Sequence, residues 1–381
     1  MKRMILTVLA AAAAVTLPSG RARAEGDRAY FAIEAETSAT KTAGMPKMQM
    51  PAGFQLPPGV QLPPEVAAMM SGGASRKLNI RLWSPSIAPD GATASVAPPA
   101  GLNQGPRLDL ELYRPKPTEG TTPGARGQMP GGMADFTMKL YWGSSKTVRP
   151  GQPKVIHLGD LTGDQKAQAD QAMAHARAGA SYFYKAGWTT GYWPTTAQPG
   201  KIDLKASLLG TFALTTNYTG NVSLDVPPDV DFLDGIDLSS PDLSRKPDLN
   251  SYLGLVWKQI PNLLGMHAMV TGMEGRNTFI IWSSSEVEAF PFFDTFLEMA
   301  QVRQFVAEQK FMAGDRTDCD VPAGIFAGAD MANLRMVGWG KGTARDATQP
   351  LPRLQTKTTL NVMLGGKMMA GRGGMGGMGQ P

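Results

Sequence analysis

Alternation of apolar and polar residues makes residues 252–286 the most strongly patterned part of the chain. Leu253, Leu255 and Trp257 alternate with Gly254, Val256 and Lys258, so in a strand the first three side chains share one face. A second alternating run follows, and a glycine-containing turn separates it from the continuous apolar run 279–282. Three strands with short connections predict an antiparallel meander.

The same alternation predicts further strands on both sides of this stretch. They cover residues 29–34, 77–83, 107–113, 136–141, 153–158, 333–339 and 357–364, with two or three more strands within 204–225. Thr162 with Gln165 and Thr295 with Glu298 have capping-box spacing, which marks helix starts. We therefore predict a mainly β protein with two inserted helices, which cover residues 163–178 and 295–311.

Three segments lack this patterning. Met, Pro and Gly crowd residues 40–73 and 114–133, and repeated prolines remove the backbone donors that strand pairing needs. The Gly- and Met-rich tail, 365–381, has too few large apolar residues to bury itself. We predict that both loops and the tail are disordered.

An acidic segment rich in Pro and Ser, residues 227–250, interrupts the strand pattern. A chain of this length suggests two domains, and a change of composition of this kind is typical of a linker. We place an N-terminal domain at 25–226 and a C-terminal domain at 251–364.

The spacing of Leu255, Trp257, Pro261 and the following apolar strand resembles the second and third strands of fibronectin type III domains. The resemblance covers only the patterned stretch. The tyrosine that the family carries in the later strand is absent, and Met266 or His267 lies near that place. The resemblance implies an immunoglobulin-like sandwich, so we predict two immunoglobulin- or fibronectin-like β-sandwich domains with long Met/Pro/Gly-rich loops. This fold hosts many unrelated functions.

A second resemblance extends over most of the chain after residue 24. The segments that carry it are LYWG at 140–143, GWTTGYWP at 187–194, IIWSSSE at 280–286 and the terminal strand. Together they resemble exported bacterial proteins of unknown function. This resemblance implies neither an activity nor site residues.

Residues 1–24 have the pattern of a secretory signal peptide. Lys2 and Arg3 precede an apolar stretch, 5–17, that is too short to span a bilayer comfortably, and an Ala-Arg-Ala sequence ends at Ala24. We predict cleavage after Ala24, a periplasmic or secreted location, and no transmembrane segment in the mature chain.

The charge balance changes once this segment is removed. Four of the 37 basic residues fall within 1–24, which leaves 33 basic against 32 acidic residues. Such a balance gives no reason to expect nucleic acid as a partner, so a protein or another envelope component is the predicted one. Cys319 is the single cysteine, and we predict that it is buried; a disulfide-linked dimer is the alternative.

Motifs for catalysis are missing from the sequence. It contains no G-x-S-x-G, H-E-x-x-H or C-x-x-C, and His157, His175 and His267 are widely separated. Ser38 and Lys41 match S-x-x-K at the edge of a predicted loop, which we interpret as chance. We predict no catalytic residue and no cofactor, and we lean against an enzyme.

Asp229, Asp231 and Asp234 form the densest group of oxygen ligands, with Gly235 beside them. Calcium takes six to eight oxygens from a looped backbone, and this segment supplies several. The spacing is not that of an EF-hand. A calcium site is one interpretation, and a solvated acidic linker is the other.

Methionine is unusually frequent, with 23 residues in the chain. Met45, Met48 and Met50 lie close together in the first predicted loop. Thioethers are soft ligands that suit Cu(I), and an exported protein would encounter copper. The alternative is a low-complexity loop without a metal.

Aromatic residues suggest a third kind of site. Trp142, Trp188, Tyr192 and Trp193 could stack against sugar rings, with Trp188 and Tyr192 on one strand face and Trp193 on the other. Core packing is the alternative. The leading hypothesis is therefore an exported, non-enzymatic β-sandwich protein that acts by binding or assembly, with Cu(I) binding and glycan binding as alternatives.

Overall fold

The structure, a computed structural model, describes residues 29–44, 73–114, 135–160, 163, 187–289, 296–345 and 351–365. The described residues form nineteen strands and one α-helix of nine residues, which confirms a mainly β fold. The strands are β1 (Tyr30–Thr42), β2 (Ala74–Ser84), β3 (Ala94–Ala97), β4 (Leu108–Asp109), β5 (Glu111–Tyr113), β6 (Thr137–Trp142), β7 (Lys154–His157), β8 (Thr189–Trp193), β9 (Gly210–Thr216), β10 (Val222–Val226), β11 (Leu238–Ser240), β12 (Leu253–Trp257), β13 (Leu263–Glu274), β14 (Thr278–Ser283), β15 (Met312–Ala313), β16 (Asp318–Val321), β17 (Met331–Gly340), β18 (Thr343–Ala344) and β19 (Arg353–Gly365). The helix, α1, is Met299–Ala307.

Twelve strands form one large sheet, with the order β5-β8-β2-β1-β19-β17-β13-β14-β6-β7, β15 beside β13 and β18 beside β19. A pair of strands near its centre joins the two ends of the described chain. β1 and β19 run parallel, in register from Ala32 opposite Arg353 to Thr42 opposite Met363. β6 and β14 also pair in parallel. The parts of the chain that the sequence assigned to two domains therefore hydrogen-bond within one sheet.

Two smaller sheets pack on one face of the large sheet, and each encloses a core. The sheet β10-β9-β3-β4 covers the β1–β2–β8 end and forms the N-terminal core. The sheet β11-β12-β16 covers the β13–β14–β17 part and forms the C-terminal core. Their large buried side chains include Phe31, Trp193 and Phe212 in the first and Trp257, Trp282 and Phe326 in the second. The opposite face of the large sheet is called the outer face below.

The acidic segment 227–250 is packed and not a free linker. Val230 and Phe232 are buried in the N-terminal core, and Leu233 and Ile236 are buried in the C-terminal core. Apolar residues interspersed among its aspartates anchor the chain where it passes from one core to the other. The segment also contributes β11 to a sheet.

Helix α1 lies over β13 and β17 on the outer face. A Cβ built on Gly265 of β13 would lie within 3.0 Å of both Val302 and Val306, so this glycine permits close helix–sheet contact. The backbone N–H of Glu298 donates to the side chain of Gln301 at 3.0 Å. The helix therefore starts after Glu298, later than the predicted start at 295, and it also ends before the predicted residue 311.

The predicted meander is half confirmed. β13 and β14 pair antiparallel, as expected. β12 instead joins β11 and β16 in the other layer. Asn262, in the left-handed region at φ 61°, lies in the turn between β12 and β13, where the chain leaves one sheet for the other. The alternating face of β12 still points into the C-terminal core, because that core lies between the two sheets.

Several predictions fall outside the described residues: the signal peptide, most of loops 40–73 and 114–133, helix 163–178 apart from Gly163, and the tail after Gly365. Residues 40–42, predicted as loop, belong to β1. Across the described ranges, no helix has the length and apolar character needed to cross a membrane.

Candidate functional site on strand β8

Strand β8 displays aromatic rings on both faces of the large sheet. Trp193 lies opposite Ile80 of β2 and points into the N-terminal core, where it is only 1% exposed. Tyr192, the preceding residue, points to the outer face and is partly exposed. The predicted placement of these two side chains on opposite faces is confirmed.

A second tyrosine completes an aromatic surface on the outer face. Tyr113 of the edge strand β5 stacks on Tyr192, with ring centroids 5.0 Å apart and an interplanar angle of 21°. Tyr113 is 48% exposed. The sequence analysis missed it, although Glu111 and Tyr113 fall on the polar face of the alternating run 107–113, which signals exposure.

Charged groups flank this pair in register. Glu111 of β5 and Arg81 of β2 lie on either side of Tyr192 in the sheet. The Tyr113 hydroxyl donates to Glu111 Oε1 at 3.3 Å. Hydrogen bonding with Tyr192 and the charge of Glu111 raise the pKa of Tyr113 to about 12, so this phenol stays protonated at neutral pH. We call Tyr113, Tyr192, Arg81 and Glu111 the tyrosine ledge.

The other aromatic candidates do not join this surface. Trp142 lies on β6, seven strands away from β8 in the sheet order. Strands are about 4.8 Å apart, so this separation is roughly 34 Å. Trp188 stacks on Tyr30 at 5.2 Å beside buried Trp83 and Leu351. The four predicted residues therefore do not form one platform.

The structure gives the aspartates of the calcium prediction separate surroundings, and the calcium site stays a prediction. Asp231 accepts hydrogen bonds from Ser207 Oγ at 2.6 Å and from two backbone N–H groups, so both of its oxygens are occupied. Asp229 pairs with Lys341 at 2.9 Å, and this hydrogen bond lowers the pKa of Asp229. Asp234 is exposed. Within the described ranges, no group of three His, Cys, Asp or Glu side chains is placed to hold a metal ion.

Met45, Met48 and Met50 lie outside the described residues, so the copper site stays a prediction. Cys319 is buried as predicted, in the C-terminal core, and burial raises the pKa of its thiol. A thiol in this position is protonated and shielded, which fits a packing role.

A histidine–serine contact was also missed by the motif search. His267 Nε2 lies 2.9 Å from Ser283 Oγ, between neighbouring strands β13 and β14. Both residues are only 3% exposed, and burial lowers the pKa of His267 to about 3. So weak a base, out of reach of solvent, does not suit general-base catalysis at neutral pH.

Ionic groups also line the centre of the outer face. Glu36 of β1 accepts a hydrogen bond from Thr359 at 2.7 Å and lies 3.7 Å from Lys357 Nζ. Arg353 of β19 pairs with Glu298 at 2.7 Å. These contacts connect β19 both to β1 and to the segment that starts α1. We therefore interpret them as contacts that stabilise the fold.

No family model matches this chain, and no curated protein or solved structure matches it either. The resemblances to fibronectin type III domains and to exported bacterial proteins stay predictions. The functional assignment rests on the geometry of the described residues.

Proposed function

We propose that this protein is an exported, non-enzymatic binding protein that holds a glycan on the tyrosine ledge. The observation that carries the proposal is the stacked, partly exposed pair Tyr113–Tyr192 with Arg81 and Glu111 in register beside it. Tyrosines supply large, rigid contact surfaces and lose little conformational entropy when they bind.

The chemistry of the ledge matches that of a sugar ring. The C–H face of a pyranose is apolar and can pack on the exposed face of Tyr113. Its hydroxyl groups both donate and accept, so they can bond to the Glu111 carboxylate and the Arg81 guanidinium. Hydrogen bonds to charged groups contribute about 1.5–3 kcal/mol each.

Binding without cleavage fits the spacing of the carboxylates. Glycoside hydrolysis uses two carboxyl groups about 5–9.5 Å apart. The ledge contains the carboxylate of Glu111, on β5. Glu34 lies beside Arg81 but belongs to β1, three strands away from β5. At about 4.8 Å per strand this is roughly 14 Å, too far for the pair to act on one glycosidic bond.

The ledge is tested by affinity electrophoresis in gels that contain β-glucan, xylan, starch or soluble chitin oligomers. We expect at least one glycan to retard the wild-type protein. Tyr113→Ala should weaken that binding about tenfold, equivalent to about 1.4 kcal/mol, because it removes the exposed stacking surface. Tyr113→Phe keeps the ring and should retain most of the affinity.

Tyr252 provides a matched control, since it is 44% exposed but lies next to β12 in another sheet. Tyr252→Ala should leave retardation unchanged. Equal losses in Tyr113→Ala and Tyr252→Ala, or no loss in Tyr113→Ala, would refute the ledge as the binding site.

Export is the second part of the proposal and has its own test. Expressed in a Gram-negative bacterium, the chain should lose residues 1–24, and the recovered protein should begin at Glu25. The mass of the N-terminal peptide decides this. A peptide that still contains Lys2 and Arg3 in the fractionated periplasm or medium would contradict cleavage after Ala24.

A further inference from the structure

Two exposed methionines lie on neighbouring strands of the large sheet. Met331 of β17 is 53% exposed, and Met363 of β19 is 41% exposed. Asn333, two residues after Met331, lies opposite Met363. Met331 and Met363 are therefore diagonal neighbours, about 7–8 Å apart. Exposed apolar side chains that are scattered singly need no explanation, but these two lie side by side.

A third methionine lies on the other side of Met331. Met273 of β13 is directly opposite Met331 in the sheet and is partly exposed. Residues directly opposite each other have Cβ atoms about 4.5–5.5 Å apart. Because β17 lies between β13 and β19, Met331 is the middle member of the group. We call Met273, Met331 and Met363 the methionine trio.

Burial of the neighbouring residues shows on which face the trio lies. Val270, Ala332 and Val362, on the same three strands, belong to the C-terminal core. Each is an odd number of positions away from the methionine of its strand, so the trio points to the outer face. Helix α1 contacts this face at Gly265, eight positions before Met273 and thus about 26 Å along β13. The helix therefore leaves the trio open.

The side chains next to the trio on the outer face are uncharged in the described part of the sheet. The register places four of them there: Thr42, Thr271, Phe279 and Asn333. Thioether sulfurs are soft ligands that select Cu(I), whereas Mg²⁺, Ca²⁺ and Mn²⁺ prefer the oxygens of carboxylates, carbonyls and water. A group of three thioethers without a neighbouring carboxylate therefore favours a soft ion of low charge.

The methionine side chain can bring its sulfur to a shared ion. It is unbranched, has three rotatable bonds and ends in a polarizable thioether. Met273 and Met363 flank Met331 on its two sides, so both sulfurs can turn towards an ion held above β17. Because the trio lies at the surface and not in a core, this movement requires no repacking of buried side chains.

Methionine-rich segments of the sequence leave the sheet beside the trio. β1 ends at Thr42, which lies opposite Met363, and the sequence continues to Met45. β19 ends at Gly365, two residues after Met363, and the sequence continues to Met368. The trio therefore occupies the end of the sheet at which the chain enters two of its methionine-rich segments.

We propose that the methionine trio binds one Cu(I) ion through its three thioether sulfurs. The site differs from the one that the sequence predicts at residues 45–50, because its ligands lie on three adjacent strands of the large sheet. It is also independent of the tyrosine ledge, which lies on β5, β8 and β2. Binding of glycan and binding of Cu(I) can therefore be tested separately.

Methyl NMR of the full chain, with ¹³C-labelled methionine methyl groups, tests the site directly. The sequence has 23 methionines, and single Leu variants of the trio assign its three signals by their loss. Cu(I) added without oxygen should shift the three signals in parallel until the site is saturated, because each methyl group is bonded to a sulfur ligand. Zn²⁺ binds Cys, His and carboxylate ligands and should leave the three signals unchanged.

Met331→Leu/Met363→Leu removes two ligands from exposed positions, and a swap of similar volume should preserve the fold. In competition with the Cu(I) chelator bicinchoninate, this variant should bind Cu(I) about tenfold more weakly at the trio than the parent protein. The matched control, Met138→Leu/Met269→Leu, removes two other thioethers from the large sheet and should bind as the parent does.

The parent protein in this competition carries Met45→Leu, Met48→Leu and Met50→Leu, so that the predicted loop site does not contribute. This parent should still show the parallel shifts of the three trio signals. Their absence, equal shifts with Zn²⁺, or unchanged affinity in Met331→Leu/Met363→Leu would overturn the assignment of Cu(I) to the trio.

Discussion

Between pH 7 and pH 5, the free energy of unfolding should fall by about 2 kcal/mol less in His267→Gln than in the wild-type protein. The wild-type free energy of unfolding should fall by about that amount between pH 7 and pH 5 because of this one residue. The comparison uses urea unfolding at both pH values, with the difference between them taken for each protein.

The sign follows from the burial of the imidazole. His267 is enclosed beside Ser283 and Phe311, and burial lowers its pKa to about 3 in the folded protein, against 6.5 when exposed. Below pH 6.5 the unfolded chain binds a proton that the folded chain does not, so acid favours unfolding. This contribution to stability is complete above pH 6.5 and is lost as the pH falls towards 3.

A control separates His267 from the other titrating groups. His157 is exposed on β7, so His157→Gln is the matched His-to-Gln control for a residue outside the core. Glu34 acts in the opposite direction, since burial raises its pKa and its neutral form favours the fold, but it is present in every variant. An unchanged pH dependence in His267→Gln would mean that the residue is not buried as a neutral base.

Removing β19 should prevent folding of the whole chain, including the N-terminal core. A chain that stops at Pro352 loses the strand between β1 and β17. It also loses Leu354 from the N-terminal core and Leu360, Val362 and Leu364 from the C-terminal core. Burying four such side chains contributes about 6–12 kcal/mol, comparable with the whole stability of about 5–15 kcal/mol.

The matched control stops at Gly365 and removes only residues 366–381. Circular dichroism and a cooperative thermal transition should be preserved in this control and absent from the shorter chain. A chain ending at Pro352 that still shows a cooperative transition for residues 29–232 would mean that the N-terminal core folds without β19.

The strands could be predicted well because each lies between a core and a more polar face. Alternation over 77–83 and 333–339 corresponds to β2 and β17, and both run longer than predicted. β3 was not among the predicted strands, because its four residues lie in a Pro- and Ala-rich segment. A run so short carries too little alternation to outweigh its neighbours.

Strand pairing could not be predicted, because alternation reports a face and not a neighbour. Nothing local in β1 indicates that its partner is β19, more than 300 residues later. The division into two cores was partly accessible, since the composition changes near the passage between them. The buried residues of 227–250 were overlooked because aspartate and proline dominate that segment.

Which side chains are available to a ligand was even harder to predict, because it depends on which parts of the chain lie next to one another. Asp231 looked available for a cation until its hydrogen bonds to 207–208 were known. Tyr113 became a candidate binding residue only because β5 stacks its ring on that of Tyr192. The close approach of Gly200 to the ring of Trp193 is likewise revealed by no spacing in the sequence.

The parallel pairing of β1 with β19 is the central structural claim, because it unites both cores in the sheet that carries β8. Thr40 and Asn361 lie opposite each other in this pair. Neighbouring strands are about 4.8 Å apart, within the range of about 4.4–6.8 Å for disulfide-linked Cα atoms. Mild oxidation of the folded Thr40→Cys/Asn361→Cys protein, followed by mass spectrometry of its peptides, tests the register.

We predict a disulfide that joins the two peptides, and none in the displaced pair Thr40→Cys/Met363→Cys, whose Cα atoms would be about 7–8 Å apart. Both variants keep the buried Cys319 as it is. A cross-link that forms in the displaced pair, or in neither, would contradict the shared sheet.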